Sequence, residues 1–339
     1  MIKAILSFLA GAVLVAVFFI VRNFTDSPPP SELASPESTV AVERMMERLT
    51  PHLLTIATGE VEDVRRILDE HFYNPKIEEA RQLYAVTEEP LTIEGIYTEV
   101  FEPAGGVPAA NAGRVLINLH GGGFIVGART EGRLESIPVA SVAGMRVISI
   151  DYRQGPEHRF PAASEDVATV YRHLLESHSP AQIGIFGCSA GGLLTAQSVA
   201  WFDAHDLPRP GAVGIFCAGA GDFLVGDAAL IADTLRTRLG DDEPMPYFEG
   251  ASWDDPLVAP IDHPDLLGRF PPSLVITSTR DLALSSAVAT HQRLVGAGAE
   301  SELHVYEGLT HYFFSDTGLP ESRQVFDVIA RFFDRHLAR

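Results

Sequence analysis

Short apolar runs alternate along this chain with longer amphipathic stretches, and the runs predict strands that lead into helices. Leu116-Ile117-Asn118-Leu119, Ile183-Gly184-Ile185-Phe186, Gly214-Ile215-Phe216 and Ser273-Leu274-Val275-Ile276-Thr277-Ser278-Thr279 are brief and rich in aliphatic, aromatic or β-branched residues, the pattern of buried strands. A helical stretch over residues 285–295 stops at Gly296, and Glu302-Leu303-His304-Val305-Tyr306 resumes as strand. Upstream, residues 40–49 and 59–71 carry apolar positions at helical spacing. The length of 339 residues suits one large α/β domain with a cap.

Two N-terminal segments break this rhythm. Residues 4–21 are almost wholly apolar between Lys3 and Arg22, near the lower limit of length for crossing a bilayer. A cleaved signal peptide has a shorter apolar core followed by a small-residue site. Here Arg22-Asn23-Phe24 follows directly, and the one weak candidate lies near Leu33-Ala34-Ser35, so an uncleaved anchor over residues 1–22 is preferred. Lys3 and the amino terminus oppose a single Arg22, which barely orients the helix; the domain is expected outside the cytoplasm, held at a membrane. Residues 23–40, with Pro28-Pro29-Pro30 near the centre, read as an extended tether.

Chemistry enters where a strand breaks into a helix. In Ile185-Phe186-Gly187-Cys188-Ser189-Ala190-Gly191-Gly192 one serine sits at the break, with small residues that let backbones pack closely around it. This is the pattern of a nucleophile elbow, and the helix that follows aims its N-terminal amides at the same spot. A second element, Leu119-His120-Gly121-Gly122-Gly123, exposes successive N–H groups suited to a tetrahedral oxyanion. Gly121, Gly122 and Ala190 are assigned as its donors; the alternative for the run is a plain surface turn.

Downstream, Asp281 stands just past the strand ending at Thr279, and His311 lies in a loop over residues 307–314. Serine needs a base to take its proton, and the base needs an acid to orient it and stabilise its charged form. The order Ser189, Asp281, His311 meets both needs. Asp254, Asp255, Asp262 and Asp265 compete with Asp281, which is preferred because sites in open α/β sheets lie at strand C-terminal ends. Of the twelve histidines, His120 is expected to brace the glycine loop rather than serve as base.

His120-Gly121-Gly122-Gly123, Asp151-Tyr152-Arg153-Gln154-Gly155-Pro156-Glu157, Phe160-Pro161-Ala162-Ala163 with Asp166, Gly187 to Gly192, Asp255-Pro256-Leu257-Val258-Ala259-Pro260, Pro271-Pro272, Asp281 and His311 together resemble the hormone-sensitive-lipase-like branch of the α/β-hydrolases, over roughly residues 90 to 335. The resemblance implies the α/β-hydrolase fold, a mostly parallel central sheet flanked by helices with a helical cap, and a carboxylesterase acting on short- to medium-chain acyl esters. Amide or lactone hydrolysis on the same triad, or a non-catalytic ligand receptor on the same scaffold, are the alternatives. It divides the chain into N-terminal cap helices at residues 41–85 and a catalytic domain at 86–339, with a cap insertion at about 221–254. There Phe223, Leu224, Leu230, Ile231, Leu235, Tyr247 and Phe248 either line an acyl site or pack on one another. The anchored arrangement is similar to that of arylacetamide deacetylases, and relatives often pair through an edge strand, so a homodimer is an expectation.

Three stretches depart from the branch. Its members usually carry an acid just before the nucleophile, where this chain has Cys188. Asp281-Leu282-Ala283 replaces the commoner Asp-Pro-Leu, and Gln154-Gly155 stands where leucine and alanine are common. A formal charge of −20 argues against nucleic acid and against charge-driven binding to acidic lipid. Cys188 and Cys217 are the two cysteines; they lack metal-site spacing, no His-Glu-x-x-His run occurs, and no metal or cofactor is implied.

Overall fold

The computed structural model describes residues 29–230 and 245–339. Among these, eight strands form one sheet in the order β1-β2-β4-β3-β5-β6-β7-β8: β1 (Val86–Ile93), β2 (Ile96–Pro103), β3 (Val115–Leu119), β4 (Arg146–Ile150), β5 (Ile183–Cys188), β6 (Ala212–Phe216), β7 (Ser273–Arg280) and β8 (Ser301–Thr310). The pairs β1–β2 and β2–β4 are antiparallel and all the others parallel. This is an α/β-hydrolase fold.

Every residue of β3, β5 and β6 is buried, which is why their sequences are apolar on both faces instead of alternating with polar residues. Val115, Ile117, Ile185 and Val213 point into a core shared with α6 (Ala162–Leu175) and α7 (Ala190–Ala204). Leu116, Phe186 and Phe216 point the other way, into a core built with α5 (Glu131–Ala143) and α9 (Pro320–His336). Because the six strands β3–β8 run parallel, the residues that follow β3, β5, β7 and β8 emerge along one edge. His120, Ser189, Asp281 and His311 are those residues, at the strand ends where such sheets place their sites.

Helices α1 (Pro36–Leu49), α2 (Leu53–Thr58), α3 (Val61–Leu68) and α4 (Asn74–Leu83), with a π-turn over Asp69–Tyr73, precede the sheet. The expected tether ends early. Ser35 caps α1 by accepting the Ser38 amide, and Pro36 occupies its first turn, where a missing N–H costs nothing. Residues 29–35 are pinned to the domain: Arg280 donates to the Pro29 carbonyl at 2.6 Å, and the Ser35 amide and hydroxyl both donate to Glu321. Strand β8 also runs four residues further than expected from its sequence, past Gly308 at φ 75° to Thr310, so His311 follows a strand directly.

The expected membrane anchor and extracytoplasmic placement are corrected. Residues 4–21 lie outside the described residues, and among the described residues no helix is long and apolar enough to cross a membrane. Crossing takes about 20 apolar residues in one helix. α9 has 17 but is amphipathic, and the apolar α7 has 15 and is buried inside the domain.

The cap insertion is described only outside residues 231–244, so Ile231 and Leu235 fall beyond it. Tyr247 stacks on Phe124 with centroids 4.7 Å apart, and Phe248 meets Phe124 edge-on at 5.1 Å. Tyr247 also accepts the Ala163 amide at 2.8 Å. These two rings pack on each other, with centroids 5.0 Å apart, and on Phe124.

Candidate active site

Ser189 joins β5 to α7 at φ 56°, ψ −123°, a conformation that costs a non-glycine residue free energy and persists only where its surroundings impose it. The surroundings here are specific. Its amide donates to the Phe216 carbonyl at 2.8 Å, and its own carbonyl accepts the amides of Gly192 at 2.9 Å and Leu193 at 3.1 Å. A β-carbon on Gly191 would stand 1.7 Å from the Leu119 carbonyl oxygen, and one on Gly187 2.1 Å from it. The glycines therefore let α7 seat directly on the end of β3, bringing the serine beside the glycine loop.

His311 Nε2 lies 3.0 Å from Ser189 Oγ, and its Nδ1 lies 2.6 Å from Asp281 Oδ1. Asp281 is fully buried and saturated with donors: the Ala283 amide at 2.8 Å on Oδ1 and the Thr277 hydroxyl at 2.9 Å on Oδ2. Burial pushes its carboxyl up, but the charge and hydrogen bond of His311 and these two donors outweigh it, leaving the group below its ordinary value. His311 is pushed down by burial and up by Asp281, and the net shift is upward. Among the competing aspartates, Asp262 pairs with Arg293 and Asp255 accepts the Leu257 amide. The structure brings Asp281, and none of these, to the histidine.

The glycine loop is held from below. The buried His120 ring stacks on Tyr152 at 4.2 Å, its Nδ1 meets the Gly121 carbonyl at 2.9 Å, and Tyr152 Oη donates to the His120 carbonyl at 2.6 Å. Gly122 takes φ 86° and Gly123 φ 62°, conformations open to glycine at no steric cost. The buried carboxylate of Glu131 lies against Gly121, where a β-carbon would stand 2.2 Å from Oε1. Ala190, the first residue of α7, offers one of the amides that an α-helix leaves without an internal acceptor. Glu131 is the residue that sequence reasoning missed. An acid in the first turn of a helix is ordinary, and its burial depends on Tyr73, 58 positions upstream.

Cys188 and Cys217 are free and buried. Ligand atoms of Cys217, Asp281 and His311 lie within 4.8 Å of one another. Asp281 is already taken up by His311, Ala283 and Thr277, and burial raises the Cys217 thiol to about 11. The arrangement suits proton transfer better than a cation.

Residues 116–315 match the family described as alpha/beta hydrolase fold. The chain belongs to the α/β-hydrolase family. This hydrolase is 30% identical over 301 residues to an acetyl-hydrolase of Streptomyces hygroscopicus, a match covering 82% of this chain and 97% of that protein. The solved structure of esterase E25 is similar with a TM-score of 0.77 at 30% identity, covering 92% of this chain and 97% of the other. An esterase from the bacterial hormone-sensitive lipase family gives 0.75 at 26% identity, covering 90% and 99%. The resemblance to the hormone-sensitive-lipase-like branch holds, and the expectation of an esterase accords with these relatives. The anchored arrangement likened to arylacetamide deacetylases does not carry over.

Proposed function

We propose that this hydrolase cleaves carboxylic esters of short to medium acyl length, with Ser189 as nucleophile, His311 as general base and Asp281 as its orienting acid. The observation that carries the reading is the unbroken relay from Asp281 through both ring nitrogens of His311 to Ser189 Oγ, at 2.6 and 3.0 Å. Nε2 takes the hydroxyl proton as Oγ attacks the ester carbonyl, then gives it to the departing alcohol; water, activated by the same nitrogen, releases the acid. The oxyanion falls to the amides of Gly121, Gly122 and Ala190. Loss of one such donor typically costs about 3 kcal/mol.

Short to medium acyl length follows from the resemblance to the hormone-sensitive-lipase-like branch. His311 borders a cavity of about 480 Å³ with Ala34, Ala41, Val42, Phe72 and Leu309, while Ser189 is not on its wall. Ser189→Ala should abolish hydrolysis of p-nitrophenyl butyrate and covalent labelling by a serine-reactive phosphonate; retained hydrolysis would remove Ser189 from the mechanism. A panel of p-nitrophenyl esters of rising length, run beside an anilide and a lactone, tests the substrate. Faster turnover of the anilide or lactone would reassign the reaction, and fastest turnover of emulsified long-chain triglyceride would make it a lipase.

A further inference from the structure

Helix α5 opens on carboxylates buried in the protein interior. Glu131 is 2% exposed and Glu135, one turn on, 1%. Burial pushes both upward, Glu131 to about 7 and Glu135 well above its ordinary value. Two acids held this close to each other and away from water are costly, so what they grip is informative. Glu131 accepts Tyr73 Oη at 2.8 Å. Its oxygens fill the space that side chains in the glycine loop would take: β-carbons on Gly121, Gly122 and Gly127 would stand 2.2, 3.1 and 2.7 Å from them. Glu135 accepts Asn118 Nδ2 at 3.2 Å through Oε2, and its Oε1 has no hydrogen-bond partner among the described residues.

Resting on the reading of this protein as an ester hydrolase, the geometry points to Glu131 as a positioning residue that fixes the glycine-loop side of the oxyanion pocket. Glu131 is held by Tyr73 from the N-terminal segment and packs its carboxylate against Gly121, Gly122 and Gly127. Glu131 also favours the protonated form of His311, the form that exists at the transition state.

The test compares Glu131→Gln, Glu131→Ala, Glu135→Gln and Tyr73→Phe with the wild-type chain on p-nitrophenyl butyrate, counting folded sites by phosphonate titration. Displacement of a reacting geometry by an ångström can cost about a hundredfold. Glu131→Gln should lower kcat per titrated site by roughly ten- to a hundredfold, with KM within about twofold, and Glu135→Gln should lower it less. Glu131→Ala should fall further, since glutamine still fills the space against the loop, and Tyr73→Phe should fall less in the same sense. Unchanged kcat per titrated site in both Glu131 variants would overturn the role, as would losses confined to KM or to the number of sites. A wild-type chain inert to every ester would remove the hydrolase reading itself, and this role with it.

Discussion

In the proposed mechanism the charge state of His311 decides when Ser189 reacts. A base must be neutral to accept a proton, and Asp281 holds His311 above its ordinary value of 6.5 against the opposing pull of burial. The imidazolium therefore persists to higher pH, and kcat/KM on p-nitrophenyl acetate should climb with pH through a midpoint above 6.5. Asp281→Asn removes the upward pull and leaves burial, so its midpoint should fall below that of the wild type while kcat drops about 10⁴-fold. An unchanged midpoint in the pH–rate profile would detach Asp281 from the histidine. These three residues were legible because each follows a recognisable strand and their order suits one chemistry. Glu131 was not, because its environment is assembled from Tyr73, Gly121 and Gly127, and no local pattern marks a buried acid. The direction of each amide in the glycine run was hidden for a similar reason, since it turns on a backbone angle of 86° at Gly122.

Among the elements, the start of the first N-terminal helix is the part least visible beforehand. The strands of the sheet announce themselves because both faces are buried, whereas the proline-rich stretch reads as tether until Ser35 and Pro36 are seen to start a helix against Glu321. Helix α4 is fastened by Lys76, 4% exposed, whose ammonium reaches Asp316 at 2.7 Å and Ser315 at 2.8 Å and lies over the Phe72 ring at 4.2 Å. This joins α4 to the turn that follows His311. Asp316→Asn strands a buried cation and should cost about 3 kcal/mol in urea unfolding. Lys76→Met should cost clearly less, because Asp316 keeps a fifth of its side chain in water. Equal losses would mean that the pair contributes packing and little charge.

Across the whole molecule, acidity shapes which substrates arrive. With a formal charge of −20, long-range repulsion slows anionic esters and leaves neutral ones untouched. Raising ionic strength from about 0.01 to 0.15 M shortens the screening length from about 30 to 8 Å. kcat/KM for a succinate monoester should rise over that interval while that for p-nitrophenyl butyrate stays flat; parallel responses would show that the charge lies too far from the cavity mouth to matter. The cavity itself has a divided origin. Its chemistry stands on the sheet, but one wall comes from residues 30–45, a stretch that adds no strand and rests on Gly308, where any β-carbon would collide with Ser31. The proposed relay and the cavity beside its histidine thus reside in separable lengths of polypeptide, and substitutions confined to that wall can reshape the cavity without touching Ser189, Asp281 or His311.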